Sequence, residues 1–341
     1  MHVELLVPGL SDPPSRAASQ DAFPAAPRVP ALELLCARGR RRDAISGTPE
    51  DWLGTAFELE FGALPAGALG AFGAGDPAQG LWCRADPVHL RLMREALALV
   101  PVNAFTLAPA EADALRADLN AHFAGTLELV GVRPSAWCAR LGGLGAPAGR
   151  APLDLAGADV DRNLPAGADA ARWHALMNEA QMLLHDHPVN AAREARGEPP
   201  VNSLWPWGGG ALPGEARAAW RSVTTDDPSV AGLARLAGIR ATASFADAPG
   251  WLAATAAEGR HLVQLDALRA PRALGDVDAR DAILRALEAN WFSPLLAALR
   301  AERIGMLTLH LPESGLAFEV ARSDLRRFWR RAKPVETRLG A

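Results

Sequence analysis

The stretch 185–210 constrains the fold of this chain more than any other segment. Its 26 positions hold two histidines, two asparagines, two arginines, two tryptophans and three consecutive glycines. Pro188 is expected to end the preceding helix, because the residue before a proline is pushed out of the α conformation. Residues 204–207 are typical of an apolar strand, and a strand that ends in a glycine-rich loop is a common ligand site in α/β proteins. The alternative is structural: the tryptophans anchor a core and the glycines form a turn.

The order and spacing of this stretch resemble the substrate segment of the archaeal-type, cofactor-independent phosphoglycerate mutases of the alkaline phosphatase superfamily. The matching residues are His187-Pro188-Val189-Asn190, Arg193, Gly197, Pro199, Asn202, Trp205-Pro206-Trp207-Gly208 and Gly210. Weaker matches lie at Gly67–Gly73, Leu81–Arg84, Gly131–Arg133 and Pro152–Asp154. The chain also resembles a group of bacterial relatives of these mutases that are labelled only as regulatory proteins.

The resemblance implies an α/β fold with an alkaline-phosphatase-like core, in which a mostly parallel central sheet is flanked by helices. Residues 1–85 and 161–341 are predicted to form this core, and residues 86–160 a small inserted α+β domain on the substrate side. The sequence itself also supports the parallel sheet. Buried strands at 261–266 and 304–311 enclose a helix at 278–303, with Pro294 breaking or kinking it, and strand–helix–strand is the unit of a parallel sheet.

Two further helices are predicted from local signals. Asp86-Pro87 is typical of a helix start, since Asp caps free amides and Pro suits the first helical position. The basic segment 323–333, which includes Phe328 and Trp329, is predicted to be a docked cover helix. Its second interpretation is a surface for an anionic partner.

The resemblance also assigns candidate site residues. The residues expected to hold a small phosphorylated acid are Arg133, Asp154, His187, Asn190, Arg193, Asn202, Trp207, Gly208 and Gly210. Thr48, in Gly47–Trp52, falls at the position of the family's phosphorylated nucleophile. His310 is the one metal ligand that the resemblance keeps, with Asp266 or Asp276 recruited as others.

The departures from the family lie on the metal side. The opening strand ends Val7-Pro8-Gly9, without the expected Asp, and the segment 264–275 contains no His. Leu309 stands before His310, where the family has Asp. Because a two-metal phosphoryl mechanism needs several carboxylates and imidazoles, we expect a catalytically impaired relative that serves as a binding or regulatory protein. The alternative is an active, metal-dependent phosphoglycerate mutase or phosphomonoester phosphotransferase, so whether the chain is an enzyme stays open here.

Composition limits the partners and the compartment that we expect for this chain. The net charge is −4 over 341 residues, which gives no global field for nucleic acid, and no apolar run is long enough for a membrane span. The three widely spaced cysteines are expected to be reduced, buried thiols in the cytoplasm. No cofactor is expected, with Mn or Zn required only by the active alternative. The expected partners are a small phosphorylated acid or a protein, and neither nucleic acid nor a membrane.

Overall fold

The structure of the protein is a computed structural model that describes residues 1–11, 27–59, 64–93, 97–101, 105–255 and 258–334. It divides into two compact units. The first unit comprises residues 1–62, 217–226 and 237–341, and the second comprises 63–216 and 227–236. The segment 86–160, predicted as an inserted domain, lies inside the second unit, which extends beyond it in both directions.

The first unit is built on a seven-stranded sheet of order β2-β12-β11-β1-β10-β8-β9. Its strands are β1 (His2–Leu6), β2 (Arg40–Asp43), β8 (Ser222–Thr224), β9 (Arg240–Thr242), β10 (Arg260–Gln264), β11 (Met306–Leu311) and β12 (Leu316–Ala321). The pairs from β11 through β9 are parallel, whereas β12 pairs antiparallel with both β11 and β2. β10 and β11 flank β1, so the predicted strand–helix–strand unit and the mostly parallel α/β fold are confirmed.

The helices of the first unit are α1 (Pro30–Arg38), α2 (Pro49–Ala56), α8 (Ala248–Ala254), α9 (Arg269–Leu274), α10 (Val277–Leu287) and α11 (Ser293–Arg300). Side chains alternate across a strand, and Val3 and Leu5 of β1 therefore join a core with Phe292 and Leu299. Pro294 lies in the first turn of α11, directly after a π-helical turn, Glu288–Phe292. The predicted break at Pro294 is thus a change of helix type, which tolerates the missing N–H.

The second unit has a five-stranded sheet of order β4-β3-β6-β5, with β7 paired to β3. Its strands are β3 (Leu81–Leu92), β4 (Leu97–Pro101), β5 (Leu127–Arg133), β6 (Ala136–Leu141) and β7 (Ser203–Ala211). Its helices are α3 (Ala66–Gly73), α4 (Pro109–His122), α5 (Ala170–His185), α6 (Pro188–Ala195) and α7 (Pro228–Leu236). α3 and α7 pack closely: a Cβ on Gly232 would lie 1.9 Å from the Leu69 carbonyl oxygen. That contact requires glycine.

The helix predicted to start at Asp86 is wrong, because β3 runs through Asp86 and Pro87. Both residues pair with β7, at Trp205 and Leu204. The Asp86 carboxylate accepts a hydrogen bond from the backbone N–H of Trp137 on β6 (3.2 Å). Strand pairing on both sides thus overrides the local cap signal.

The predicted C-terminal cover helix is also wrong. Only a short 3-10 turn, Arg322–Arg326, forms in the part of this segment that the structure describes, and Phe328 and Trp329 stay 78% and 67% exposed. Repulsion among closely spaced arginines disfavours a helix in this segment.

The three cysteines, Cys36, Cys83 and Cys138, are all buried, as predicted. Burial raises the pKa of the Cys83 thiol well above its ordinary value, and it raises the pKa of Cys138 to about 12. Among the described residues, no helix is long and apolar enough to cross a membrane.

Candidate functional site

Three loops of the first unit meet at the carboxyl ends of β1, β10 and β11, which is where open α/β sheets bind ligands. The backbone N–H of Gly9, just after β1, donates to Glu313 Oε1 at 2.7 Å. Gly9 has φ +82°, and a Cβ there would lie 2.7 Å from the backbone of Leu268. Only glycine therefore lets the loop after β1 touch the loops after β10 and β11. We call this region the carboxyl edge.

Two arginine–glutamate pairs occupy the carboxyl edge. Arg272 Nη1 lies 3.1 Å from Glu313 Oε1, and Arg269 Nη2 lies 3.0 and 3.3 Å from the two oxygens of Glu50. The Arg269 and Glu50 side chains are only 10% and 17% exposed. Arg269 and Arg272 are on consecutive turns of the chain after β10, in the segment where the resemblance predicts metal ligands. The cations at this edge are guanidinium groups of the chain itself.

Thr48 lies at this edge but serves as a helix cap. The N–H of Gly47 donates to the Pro312 carbonyl at 3.1 Å, so Thr48 is next to the end of β11. Its hydroxyl donates to Asp51 Oδ2 (2.8 Å) and accepts from the Asp51 N–H (3.2 Å), which completes a capping box at the start of α2. These hydrogen bonds are those of an N-cap, and a nucleophilic role for Thr48 stays a prediction.

His310 is bound within the sheet. Its Nε2 lies 3.0 Å from Glu4 Oε2, and the Arg260 Nε donates to Glu4 Oε1 at 2.8 Å. Burial opposes ionisation of Glu4, but the hydrogen bonds from His310 and Arg260 lower its pKa to about 2. The His310 ring also packs on Trp52, with centroids 4.8 Å apart. The imidazole therefore stabilises a buried carboxylate on β1.

The other two predicted metal ligands have different partners. Asp266 Oδ2 accepts from the Gln264 amide at 2.6 Å, and Asp276 caps α10 through the N–H of Ala279 at 2.9 Å. Within the described part of the chain, no group of three or more His, Cys, Asp or Glu side chains is placed to hold a metal ion. A metal-binding role for His310, Asp266 and Asp276 stays a prediction.

In the second unit, the substrate-like stretch binds its own backbone. The Asn190 amide donates to the carbonyls of Leu184 and Val201 and accepts from the Val201 N–H, all within 2.9 Å. Arg193 is 0% exposed. Its guanidinium donates to the carbonyls of Pro199 and Thr106, at 2.9 and 3.0 Å, and to Glu111 at 2.7 Å. An anion at this guanidinium would have to displace Glu111.

His187 and Asn202 also make local contacts. The Val189 N–H donates to His187 Nδ1 at 3.1 Å, so the ring proton is on Nε2, which lies 3.0 Å from Asp118 Oδ2. Asn202 bonds both the N–H and the carbonyl of Leu90, at 2.7 and 2.9 Å. These two side chains fix the ends of the segment 187–202 to the rest of the unit.

Trp207 belongs to a buried cluster on β3 and β7. Its Nε1 donates to Asp86 Oδ2 at 2.7 Å, and Arg84 donates to Asp86 Oδ1 at 3.0 and 2.7 Å. Burial opposes charge on Arg84, but the Asp86 carboxylate holds the guanidinium pKa above its ordinary value. The spacing of two residues places Arg84 and Asp86 on one face of a strand. That signal was available in the sequence once the segment was recognised as a strand.

The four remaining predicted substrate residues lie on β7, at the end of β5 and in a 3-10 turn. Gly208 has φ +56°, and a Cβ there would lie 2.8 Å from the Ala66 Cβ, while one on Gly210 would lie 3.0 Å from Pro65. Arg133 is exposed at the end of β5, and Asp154 is in the 3-10 turn Pro152–Leu155. The glycines therefore allow β7 to approach α3. A substrate role for Arg133 and Asp154 stays a prediction.

Comparison with known proteins agrees with the resemblance. The curated relatives of this chain are 2,3-bisphosphoglycerate-independent phosphoglycerate mutases. The enzyme of Methanosarcina mazei is 39% identical over 62 residues, and a probable enzyme of Geobacter sulfurreducens is 40% identical over 62 residues. Each match covers 18% of this chain and 16% of the relative, so the similarity spans about a sixth of either relative's length. No protein-family model matches the chain.

Solved structures with related folds cover nearly the whole chain. The PH0037 protein from Pyrococcus horikoshii has a TM-score of 0.53 at 13% identity, covering 94% of this chain and 87% of that protein. A cofactor-independent phosphoglycerate mutase from Thermoplasma acidophilum has a TM-score of 0.42 at 20% identity, covering 100% and 95%. The likeness to the Pyrococcus horikoshii protein is one of fold alone, and it agrees with the fold class predicted from the sequence.

Proposed function

We propose that this chain is a phosphoglycerate mutase-like protein that has lost metal-dependent phosphoryl transfer and serves as a binding or regulatory protein. The observation that carries this proposal is the pair of arginine–glutamate contacts at the carboxyl edge. Arg269 and Arg272 provide positive charge where a phosphoryl-transfer enzyme would hold metal ions. The resemblance to bacterial relatives labelled as regulatory points in the same direction.

The residues present do not fit a catalytic metal centre. His310 is hydrogen-bonded to Glu4, and Asp276 caps α10. The contact with Glu4 occupies Nε2 of His310, so only the buried Nδ1 remains for a metal. The Thr48 hydroxyl donates its proton to Asp51 Oδ2 and accepts the cap bond from the Asp51 N–H, so both of its hydrogen bonds serve the start of α2. We therefore derive no catalytic step through a metal.

The carboxyl edge instead offers donors for a small phosphorylated acid. The Gly9 N–H and the Arg272 guanidinium both contact Glu313 Oε1, and Arg269 contacts Glu50. Backbone N–H groups and arginines are the donors that phosphate and carboxylate groups prefer. An anionic ligand would bind by replacing one of these glutamates, and the displaced carboxylate would turn towards solvent.

Thermal unfolding tests this proposal, with 3-phosphoglycerate as the probe and with either manganese or a chelator present. Because a ligand that binds only the folded state stabilises it, we expect a higher Tm that the chelator leaves unchanged. Arg272→Gln should remove most of the shift, whereas Arg300→Gln, at an exposed arginine on α11, should retain it. Stabilisation that depends on manganese, or the absence of any shift, would contradict the proposal.

One observation favours the alternative, an active mutase with Thr48 as nucleophile: Thr48 is adjacent to the end of β11. Turnover of 3-phosphoglycerate with manganese, together with a phosphate on Thr48 found by mass spectrometry, would establish it. We expect neither.

A further inference from the structure

A strongly basic surface lies in the first unit, where β2 meets the segment after β12. Residues 38–43 and 322–334 together contain ten arginines and lysines and only two carboxylates, Asp43 and Asp324. Their net charge is +8, so the rest of the chain, which is −4 overall, carries −12. Glu319 and Glu302 contact Arg42 and Arg322 and offset part of this charge, but the surface remains positive in a chain that is negative overall. We call it the arginine surface.

The two segments are held together by their own arginines. Arg38 donates to the Leu325 carbonyl, and Arg327 and Arg330 donate to the carbonyls of Arg38 and Gly39, each at 3.1 Å. Asp324 is 3% exposed and lies 2.8 Å from Arg327. The arginine surface is therefore anchored by specific contacts, which reduces the entropy that a partner must remove on binding.

Two large aromatic side chains stand out of this surface. Phe328 and Trp329 are 78% and 67% exposed and contact each other edge to face, with centroids 5.3 Å apart. Arginines flank them at 326, 327, 330 and 331. Exposed aromatic residues with arginine are the composition of binding hot spots in protein interfaces. Leaving both aromatics in water serves no purpose in the fold.

We propose that the arginine surface binds an acidic, extended segment of a partner protein that also carries apolar side chains. β2 is the terminal strand of the sheet order, and its residues Arg40, Arg41 and Arg42 are all exposed. Successive residues of β2 and of an extended segment have the same rise, about 3.3 Å. Arg40 and Arg42 lie 3.4 and 3.1 Å from Asp324 and Glu319, so carboxylates of the partner would share or replace these contacts while its apolar side chains cover Phe328 and Trp329.

The charge distribution favours a short acidic segment over nucleic acid. The positive charge is confined to two segments, and the negative charge carried by the rest of the chain would repel a long polyanion that runs beyond them. Such repulsion acts over about 10 Å at moderate ionic strength. An acidic peptide needs to cover only the arginine surface itself.

Fluorescence anisotropy tests the proposal on the full chain, with a short labelled peptide of alternating Glu and Asp that includes two Phe. We expect saturable binding that weakens with salt, since the contacts are ionic. Arg326→Glu with Lys333→Glu should weaken binding roughly tenfold or more, as like charges are then brought together. Phe328→Ala with Trp329→Ala should weaken binding of this peptide but have little effect on a peptide without Phe.

Matched controls separate this surface from general charge effects. Arg285→Glu with Arg300→Glu changes the net charge equally at exposed helical arginines outside the arginine surface, and Met182→Ala removes an exposed apolar side chain elsewhere. Both should bind like the parent. Three results would each overturn the proposal: equal losses in these controls, tighter binding of a single-stranded oligonucleotide of equal charge, or binding only to vesicles containing phosphatidylserine.

Discussion

Arginine–glutamate pairs occur both in the substrate-like stretch of the second unit and at the carboxyl edge of the first unit. The two regions differ in whether the guanidinium group is accessible to a ligand. The Arg193 guanidinium is enclosed, and its bonds to Glu111 and two carbonyls fix the backbone of the loop. Arg272 is 27% exposed, and Glu313 shares its oxygen with a loop N–H. Resemblance to the mutases is strongest in the enclosed region, where a change of side chain would disrupt the fold.

This comparison teaches that a specific sequence match can report scaffold as readily as chemistry. Asn190 and Arg193 satisfy buried polar backbone groups, and leaving such groups unsatisfied is costly. The carboxyl edge, where open α/β sheets bind ligands, is the region in which the sequence analysis expects departures from the mutases.

Removing the enclosed guanidinium should have the largest effect. Arg193→Ala leaves Glu111 without a buried partner and two carbonyls without donors, so we expect a loss of about 3–5 kcal/mol in the free energy of unfolding. Arg196→Ala, which removes a 47% exposed partner of the same Glu111, should cost far less, because solvent screens that ion pair. Urea denaturation measures the free energy of unfolding of both variants. Equal losses would contradict the structural role assigned to the enclosed Arg193.

The sheet carboxylate should contribute a pH-dependent stability. Since the pKa of Glu4 is about 2 in the folded state, below its ordinary value of 4.5, its stabilisation is present above about pH 4.5. It is lost as pH falls through about 4.5 towards about 2. The contribution is on the order of 3 kcal/mol. Glu4→Gln should therefore be less stable than the parent near neutral pH, with the gap closing in acid, whereas Glu194→Gln at an exposed site should show no such gap.

A change at the predicted nucleophile should have a moderate effect of a structural kind. Thr48→Ala removes the cap of α2 and should cost about 1 kcal/mol, while Thr48→Ser should restore most of it. If Thr48 has no role beyond capping, 3-phosphoglycerate should raise the Tm of all three proteins equally. A shift that disappears with Thr48→Ala would indicate a ligand contact.

The partly exposed Arg272–Glu313 pair at the carboxyl edge should have the smallest effect on the free energy of unfolding. Arg272→Gln should lower the free energy of unfolding by less than about 1 kcal/mol, because partly exposed ion pairs are screened by solvent. Urea denaturation of Arg272→Gln and Arg193→Ala in one series compares the contributions of the two arginines to the free energy of unfolding directly. A loss as large as that of Arg193→Ala would assign Arg272 to the scaffold as well.

The sequence predicted the parallel sheet of the first unit because buried strands at 261–266 and 304–311 are apolar and separated by a long helix. It failed at Asp86-Pro87, where the local cap signal was overridden by β6 and β7, and the pairing with β7 depends on residues more than a hundred positions away. At the site, the resemblance to the mutases indicated Thr48 and His310 as candidates. Their hydrogen bonds to Asp51 and Glu4, which decide what each can do, depend on tertiary placement. Arg269 and Arg272 were overlooked because that segment was searched for metal ligands.

Alkylation of the three buried cysteines can report local opening of each unit. Cys36 lies in the first unit, and Cys83 and Cys138 lie in the second. Alkylating reagents attack the thiolate, so high thiol pKa values and burial keep Cys83 and Cys138 unreactive until the second unit opens. Timed alkylation followed by peptide mass analysis would thus give a separate opening rate for each unit, with no engineered label, and would report which unit a ligand holds closed.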